Sequence, residues 1–140
     1  MSGFLLDTNV ISELVRRRPE PKVQTWVAAT DENLLYLSVL TIGEIRKGIA
    51  SVKDASRRVT LETWLDSDLA TRFAGRILAI DQAVADRWGR LAAQATPNAP
   101  LPVIDALLAA TALNYDLTLV TRNTKDVAGT GVQLFNPWTA

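Results

Sequence analysis

Three of the fifteen acidic side chains in this chain stand where a charge needs explaining. Asp105 lies within Val103-Ile104-Asp105-Ala106-Leu107-Leu108-Ala109-Ala110-Thr111-Ala112-Leu113, a helical stretch apolar almost all round, as a buried helix is. At 100° per residue its neighbours along the helix face are Leu108, Ala109 and Ala112. A carboxylate in that company faces either the core or a cleft, and an unpaired buried charge is too costly to keep idly. Its plain structural role would be to complement the helix dipole one turn in from Pro102. Asp7 follows Phe4-Leu5-Leu6 at the end of an apolar run where a helix begins, and capping that helix is an equally good reading of it. Glu44 sits at the rim of an apolar helix face, with the small Gly43 and Gly48 beside it. Asp81 reads as an ordinary cap, and Asn123 or Asp126 can each cap a turn after Val120-Thr121.

The absent residue types narrow the chemistry further. Without histidine there is no imidazole base, and without cysteine there is no thiolate nucleophile, thiolate zinc site or disulfide. Catalysis must use carboxylates, hydroxyls, Lys, Tyr, Arg or a hard metal held by oxygens. The chain has 140 residues, 48% of them hydrophobic and 21% charged, with Lys+Arg equal to Asp+Glu at 15 each. That is an ordinary globular composition, expected to form one domain over residues 1–140. Zero net charge argues against binding nucleic acid by bulk field alone, although Arg16, Arg17, Arg46 and Arg122 offer a local basic surface for a phosphate backbone. No apolar run approaches a membrane span, and Met1-Ser2-Gly3 leads straight into an apolar strand without a signal-peptide pattern. The expectation is a soluble, cytoplasmic protein with no membrane contact.

The positioning elements alternate along the chain. Apolar runs at Gly3–Leu6, Leu34–Leu37, Ile77–Ile80, Leu117–Val120 and Val132–Phe135 read as strands. Between them, helical spacing predicts a helix from Asp7 with Val10, Ile11, Leu14 and Val15, and a short one over Pro21–Ala29. It also predicts one capped by Ser38 with Val39, Leu40, Ile42, Ile45 and Ile49 as its apolar positions, and a long one from the Lys53–Arg58 stretch to Phe73. A helix capped by Asp81 carries Val84, Trp88 and Leu91; the Pro-rich Thr96–Pro102 interval is a loop; and a last helix covers 102–115. Strands separated by helices imply crossovers and a mainly parallel sheet of four to five strands with helices on both faces, an α/β fold. Ligands of such sheets bind beyond the carboxyl ends of the strands. Asp7 follows a strand expected to be central, and Glu44 and Asp105 lie on helices flanking the same edge, so the three carboxylates can meet. At about 5 Å apart they would repel by ~3 kcal/mol per pair at an effective dielectric near 20. A divalent ion relieves that repulsion while leaving them ionised, and an all-oxygen site suits Mg²⁺ or Mn²⁺. Such an ion can stabilise displacement at phosphorus without a histidine base.

The same residues carry a family resemblance. Leu5-Leu6-Asp7-Thr8-Asn9-Val10-Ile11-Ser12, Thr41-Ile42-Gly43-Glu44-Ile45-Arg46-Lys47-Gly48, Asp105 to Ala112, Leu119-Val120-Thr121-Arg122-Asn123 and Phe135-Asn136-Pro137-Trp138 resemble, in order, the PIN-domain nucleases. The likeness is to the VapC-type toxins of toxin–antitoxin pairs and their FitB-like branch. It implies a PIN-like three-layer sandwich and a Mg²⁺- or Mn²⁺-dependent endoribonuclease that hydrolyses RNA. It also implies a homodimer neutralised by a cognate VapB-type antitoxin, with DNA bound only indirectly through that antitoxin. Asp7, Glu44 and Asp105 correspond to the acidic metal-binding set, and Asn9 and Thr121 to its polar support. Asn123 stands where a fourth acid is often found; it can accept but supplies no charge, so Asp126 would have to substitute if the turn bends back. Two other readings compete: a PIN-like binding partner without activity, and a haloacid-dehalogenase-like phosphatase with Asp7 as phosphoryl acceptor. The second lacks an acid at Asn9 and a late acidic pair.

Overall fold

The computed structural model describes residues 3–140, so the reading of Met1 and Ser2 lies outside it. Strands β1 (Gly3–Leu6), β2 (Leu35–Ser38), β3 (Ile77–Leu78), β4 (Leu117–Val120) and β5 (Leu134–Phe135) form one parallel sheet in the order β3-β2-β1-β4-β5. β1 is central. Its register places Leu5 beside Tyr36 and Leu119, and Leu6 beside Val120. Side chains alternate across the pleat, so Leu6 and Val120 face one layer while Leu5 and Leu119 face the other.

The first layer is built by α1 (Thr8–Leu14), α2 (Pro21–Ala29), α3 (Val39–Ala50) and the α4 (Ala55–Thr63) to α5 (Ala70–Arg72) helix, which runs on unbroken through a π-helical stretch at Trp64–Leu69. Val10, Ile11, Val23, Val27, Ile45, Ile49, Leu65, Leu69 and Phe73 fill that side. Burying Phe73 completely is worth roughly 2–3 kcal/mol. The second layer is α6 (Gln82–Gln94) against α7 (Val103–Asn114), whose Leu108, Ala109 and Ala112 lie on the sheet. Small alanines along α7 allow close packing, so the helix is buried nearly all round, as its composition requires.

Three local expectations are corrected, at α3, at β3 and at β5, which begins at Leu134 and not at Val132. Val39 is 41% exposed and Leu40 only half-buried; the core face of α3 is Thr41, Ile45 and Ile49. A hydroxyl held that position at the sheet edge, where apolarity alone is a poor guide. The third strand stops at Leu78 because its partner β2 ends at Ser38, opposite Leu78, leaving Ala79 and Ile80 nothing to pair with. The π-helical stretch has no mark in the sequence. No helix among the described residues is long and apolar enough to cross a membrane.

Candidate metal centre at the carboxyl edge of the sheet

β1 and β4 end side by side, and that alignment builds the site. The Asp7 N–H donates to the Val120 carbonyl at 2.9 Å, extending the ladder one residue beyond Leu6, and Thr121 N–H bonds to Phe135 in the same way. Asp7 and Thr121 are thus fixed as neighbours. Asp7 leaves the strand in extended conformation and caps α1: its Oδ1 accepts the Thr8 N–H at 2.7 Å. Its Oδ2 accepts from the Thr121 hydroxyl at 2.8 Å. The buried Thr121 Oγ1 in turn accepts from Asn9 Nδ2 and the Asn123 N–H, which uses its full hydrogen-bonding capacity. Asp7 therefore caps α1 and is tied to Thr121 at the same time.

Glu44 is tied to the same corner by a contact the sequence did not disclose. The Thr8 hydroxyl, at the first position of α1, donates to Glu44 Oε1 at 2.5 Å and lies 3.1 Å from the buried Thr41 hydroxyl. Thr41 and Glu44 stand one turn apart on α3, a spacing that could have flagged the pair. Asp105 is half-buried in the first turn of α7. Asp126 rides on a 3₁₀ turn, Thr124–Val127, with its side chain exposed, and its charge adds to the upward push on the Asp7 and Asp105 carboxyls. Asn123 begins that turn through its backbone, with an exposed side chain.

The electrostatics are those of like charges gathered without relief. Burial pushes the Asp7 carboxyl above its usual range; hydrogen bonds from Thr121 and Thr8 oppose this, and the charges of Glu44 and Asp126 add to it. Asp105 is raised as well, first by burial, then by Asp7, Asp126 and Glu44. Among the described residues no Arg or Lys forms an ion pair with any of these four acids; the arginines that do pair go to Glu13, Asp66, Glu32 and Asp86. Asn9 Oδ1, beside Asp7, is buried with no hydrogen-bond partner among the described residues. An all-oxygen donor set in excess negative charge, with an orphaned amide oxygen beside Asp7, fits a hard divalent cation in kind. No group of three or more acids among the described residues is drawn together tightly enough to hold one ready-made.

The arginines divide. Arg46 is committed to Asp66 on the π-helical stretch, and Arg17 is exposed at the end of α1. Arg16 bonds to the buried Glu13, and Arg122 lies over the Trp138 ring. Glu13 was not foreseen: at the polar end of a short helix it has the pattern of a surface residue, with only Arg16 at three residues' distance as a signal.

Residues 4–128 match the family model described as PIN domain. Over 136 residues the chain is 36% identical to Toxin FitB of Neisseria gonorrhoeae (strain ATCC 700825 / FA 1090), covering 96% of this chain and 98% of that protein. It is 35% identical over 136 residues to VapC ribonuclease Y4jK of Sinorhizobium fredii (strain NBRC 101917 / NGR234), covering 96% and 97%. The crystal structure of FitAcB from Neisseria gonorrhoeae superposes with a TM-score of 0.93 at 36% identity, covering 98% of this chain and 99% of that one.

Proposed function

The chain belongs to the PIN-domain family, and from that premise we propose that it is a divalent-metal-dependent endoribonuclease, the toxin of a toxin–antitoxin pair. The observation that carries this reading is the hydrogen-bonded corner at the end of β1, where Thr121 and the Thr8 N–H hold Asp7 and the Thr8 hydroxyl holds Glu44, with no basic side chain among the described residues paired to either acid. Support also comes from the relative named a ribonuclease and the one named a toxin.

Asp7, Asp105 and Glu44 would hold Mg²⁺ or Mn²⁺, with Asp126 supplying the charge that Asn123 cannot. When bound, such an ion neutralises the carboxylates, polarises a phosphodiester oxygen and eases deprotonation of the attacking water. The protein's own part is orientation. Thr121 and the Thr8 N–H fix both oxygens of Asp7, and the Thr8 hydroxyl steers Glu44. With no histidine present, the proton released in hydrolysis passes to a carboxylate or to solvent.

The test is Mg²⁺-dependent cleavage of a structured RNA by the wild type, Asp7→Asn and Asp105→Asn. The expected result is a loss of at least about 100-fold in both variants, the scale on which electrostatic stabilisation of a transition state is felt, and abolition by EDTA. Equal cleavage by all three proteins, or none by any, would contradict it. The second outcome would favour a PIN-like binding partner without activity.

A further inference from the structure

A polar cleft of about 400 Å³ that the hydrolysis above does not use is lined by Glu13, Arg16, Arg18, Glu20, Arg122 and Trp138. Glu13 is only 4% exposed. A buried carboxylate needs partners, and this one accepts from the Glu20 N–H at 2.9 Å and from Arg16 Nη1 at 3.1 Å. Burial alone would raise its carboxyl, yet these bonds and the charges of Arg16 and Arg122 hold it below the usual range. Glu13 is therefore ionised at neutral pH with its oxygens committed to the protein. Arg16 spends one nitrogen on it, and its side chain stays 62% exposed.

Arg122 is held differently. Its guanidinium lies 5.3 Å from the centre of the Trp138 ring. The Trp138 N–H donates to Asn136 Oδ1 at 2.9 Å, and Asn136 Nδ2 donates to the Arg122 carbonyl at 3.3 Å. The Asn136-Pro137-Trp138 segment thus brackets Arg122 at both its backbone carbonyl and its guanidinium. Stacking covers one face of a guanidinium but leaves its in-plane N–H fork available to an oxyanion. Three arginines face two glutamates in this cleft, and one of the two, Glu20, is occupied in capping α2 at the Lys22 N–H. Arg122 directly follows Thr121, the donor to Asp7, so the chain itself ties one wall of the cleft to the Asp7 corner.

A ligand suited to both is a polyanion, with one phosphate at the carboxylates and another gripped by arginine. Resting on the nuclease reading, we propose that the Arg16–Arg122–Trp138 cleft is a backbone-phosphate subsite for single-stranded RNA, binding a phosphodiester other than the one cleaved.

The experiment follows fluorescence anisotropy of a labelled 12-nucleotide single-stranded RNA across a salt series, in Mg²⁺ and an Asp105→Asn background that prevents cleavage. Arg122→Gln and Arg16→Gln should each weaken binding about 10-fold at low salt and flatten the dependence of log K on log salt by about 0.7, one lost single-strand phosphate contact. Arg122→Lys should keep the slope and lose part of the affinity. Arg90→Gln, the same charge change at a residue paired to Asp86 on α6, should change neither. Absence of RNA binding by the parent, unchanged binding in the cleft variants, or equal loss in Arg90→Gln would each overturn the subsite. So would loss of a coexpressed protein partner with RNA binding intact, which would assign the cleft to an acidic protein segment. The two readings fail separately. Wild-type cleavage with RNA binding indifferent to Arg122 sinks only the cleft; Arg122-dependent binding without hydrolysis sinks only the nuclease.

Discussion

Asp105 carries opposite consequences for stability and for activity. Its carboxyl is raised by burial and by Asp7, Asp126 and Glu44, so the folded chain binds that proton more tightly than the unfolded chain does. The stabilisation is fully present below the ordinary value of 3.8 and is lost as pH rises through the raised one. At neutral pH the ionised group therefore destabilises the metal-free protein. Asp105→Asn, which removes the charge and keeps the shape, should raise the melting temperature in EDTA, by a small amount because solvent screens a charge that is only partly buried. It should also abolish the further rise that Mg²⁺ is expected to give the wild type. A lower melting temperature for the variant in EDTA would contradict this. Asp105 was legible in the sequence because a charge inside an apolar helix is an anomaly at the level of the residue itself. The Thr8 bond to Glu44 was not, because it joins residues 36 apart whose types suit a cap and a surface equally well. Glu13 escaped for the same reason: its burial depends on the turn that brings the Glu20 N–H back over it.

Elements convey those residues to the edge, and α3 depends on how it begins. Its entry is fixed by the buried Ser38, whose hydroxyl accepts the Leu40 N–H at 3.0 Å, while its first residue is exposed and only Thr41, Ile45 and Ile49 are buried. Ser38→Ala should lower unfolding stability by about 1 kcal/mol, the usual cost of a lost N-cap, seen as a lower urea midpoint with unchanged slope. It should also reduce RNA cleavage by more than it reduces the folded fraction, since Thr41 and Glu44 depend on that entry. An unchanged midpoint would show that packing alone positions the helix. Most of this layer could be read from sequence. Pro21–Ala29 and Leu117–Val120 fall where apolar spacing and breakers put them, because both signals are local. β3 was overrun because a strand's length at a sheet edge is set by its neighbour, and nothing within Ile77–Ile80 records where β2 stops.

At the scale of the molecule, a chain with no net charge concentrates negative charge at one edge of its sheet and arginine beside it. Family membership adds the expectation of a second copy and a neutralising partner. The isolated chain should elute as a dimer, and coexpression with its genetic neighbour should yield a larger complex; elution as a monomer under both conditions would count against it. The central claim is that Asp7, Glu44 and Asp105 converge on a divalent ion. Anomalous diffraction from a crystal grown with Mn²⁺ tests it most directly: the account predicts a strong peak between Asp7 and Asp105, within reach of Glu44, that disappears in Asp105→Asn. No peak at that edge, with Mn²⁺ bound elsewhere or not at all, would contradict it.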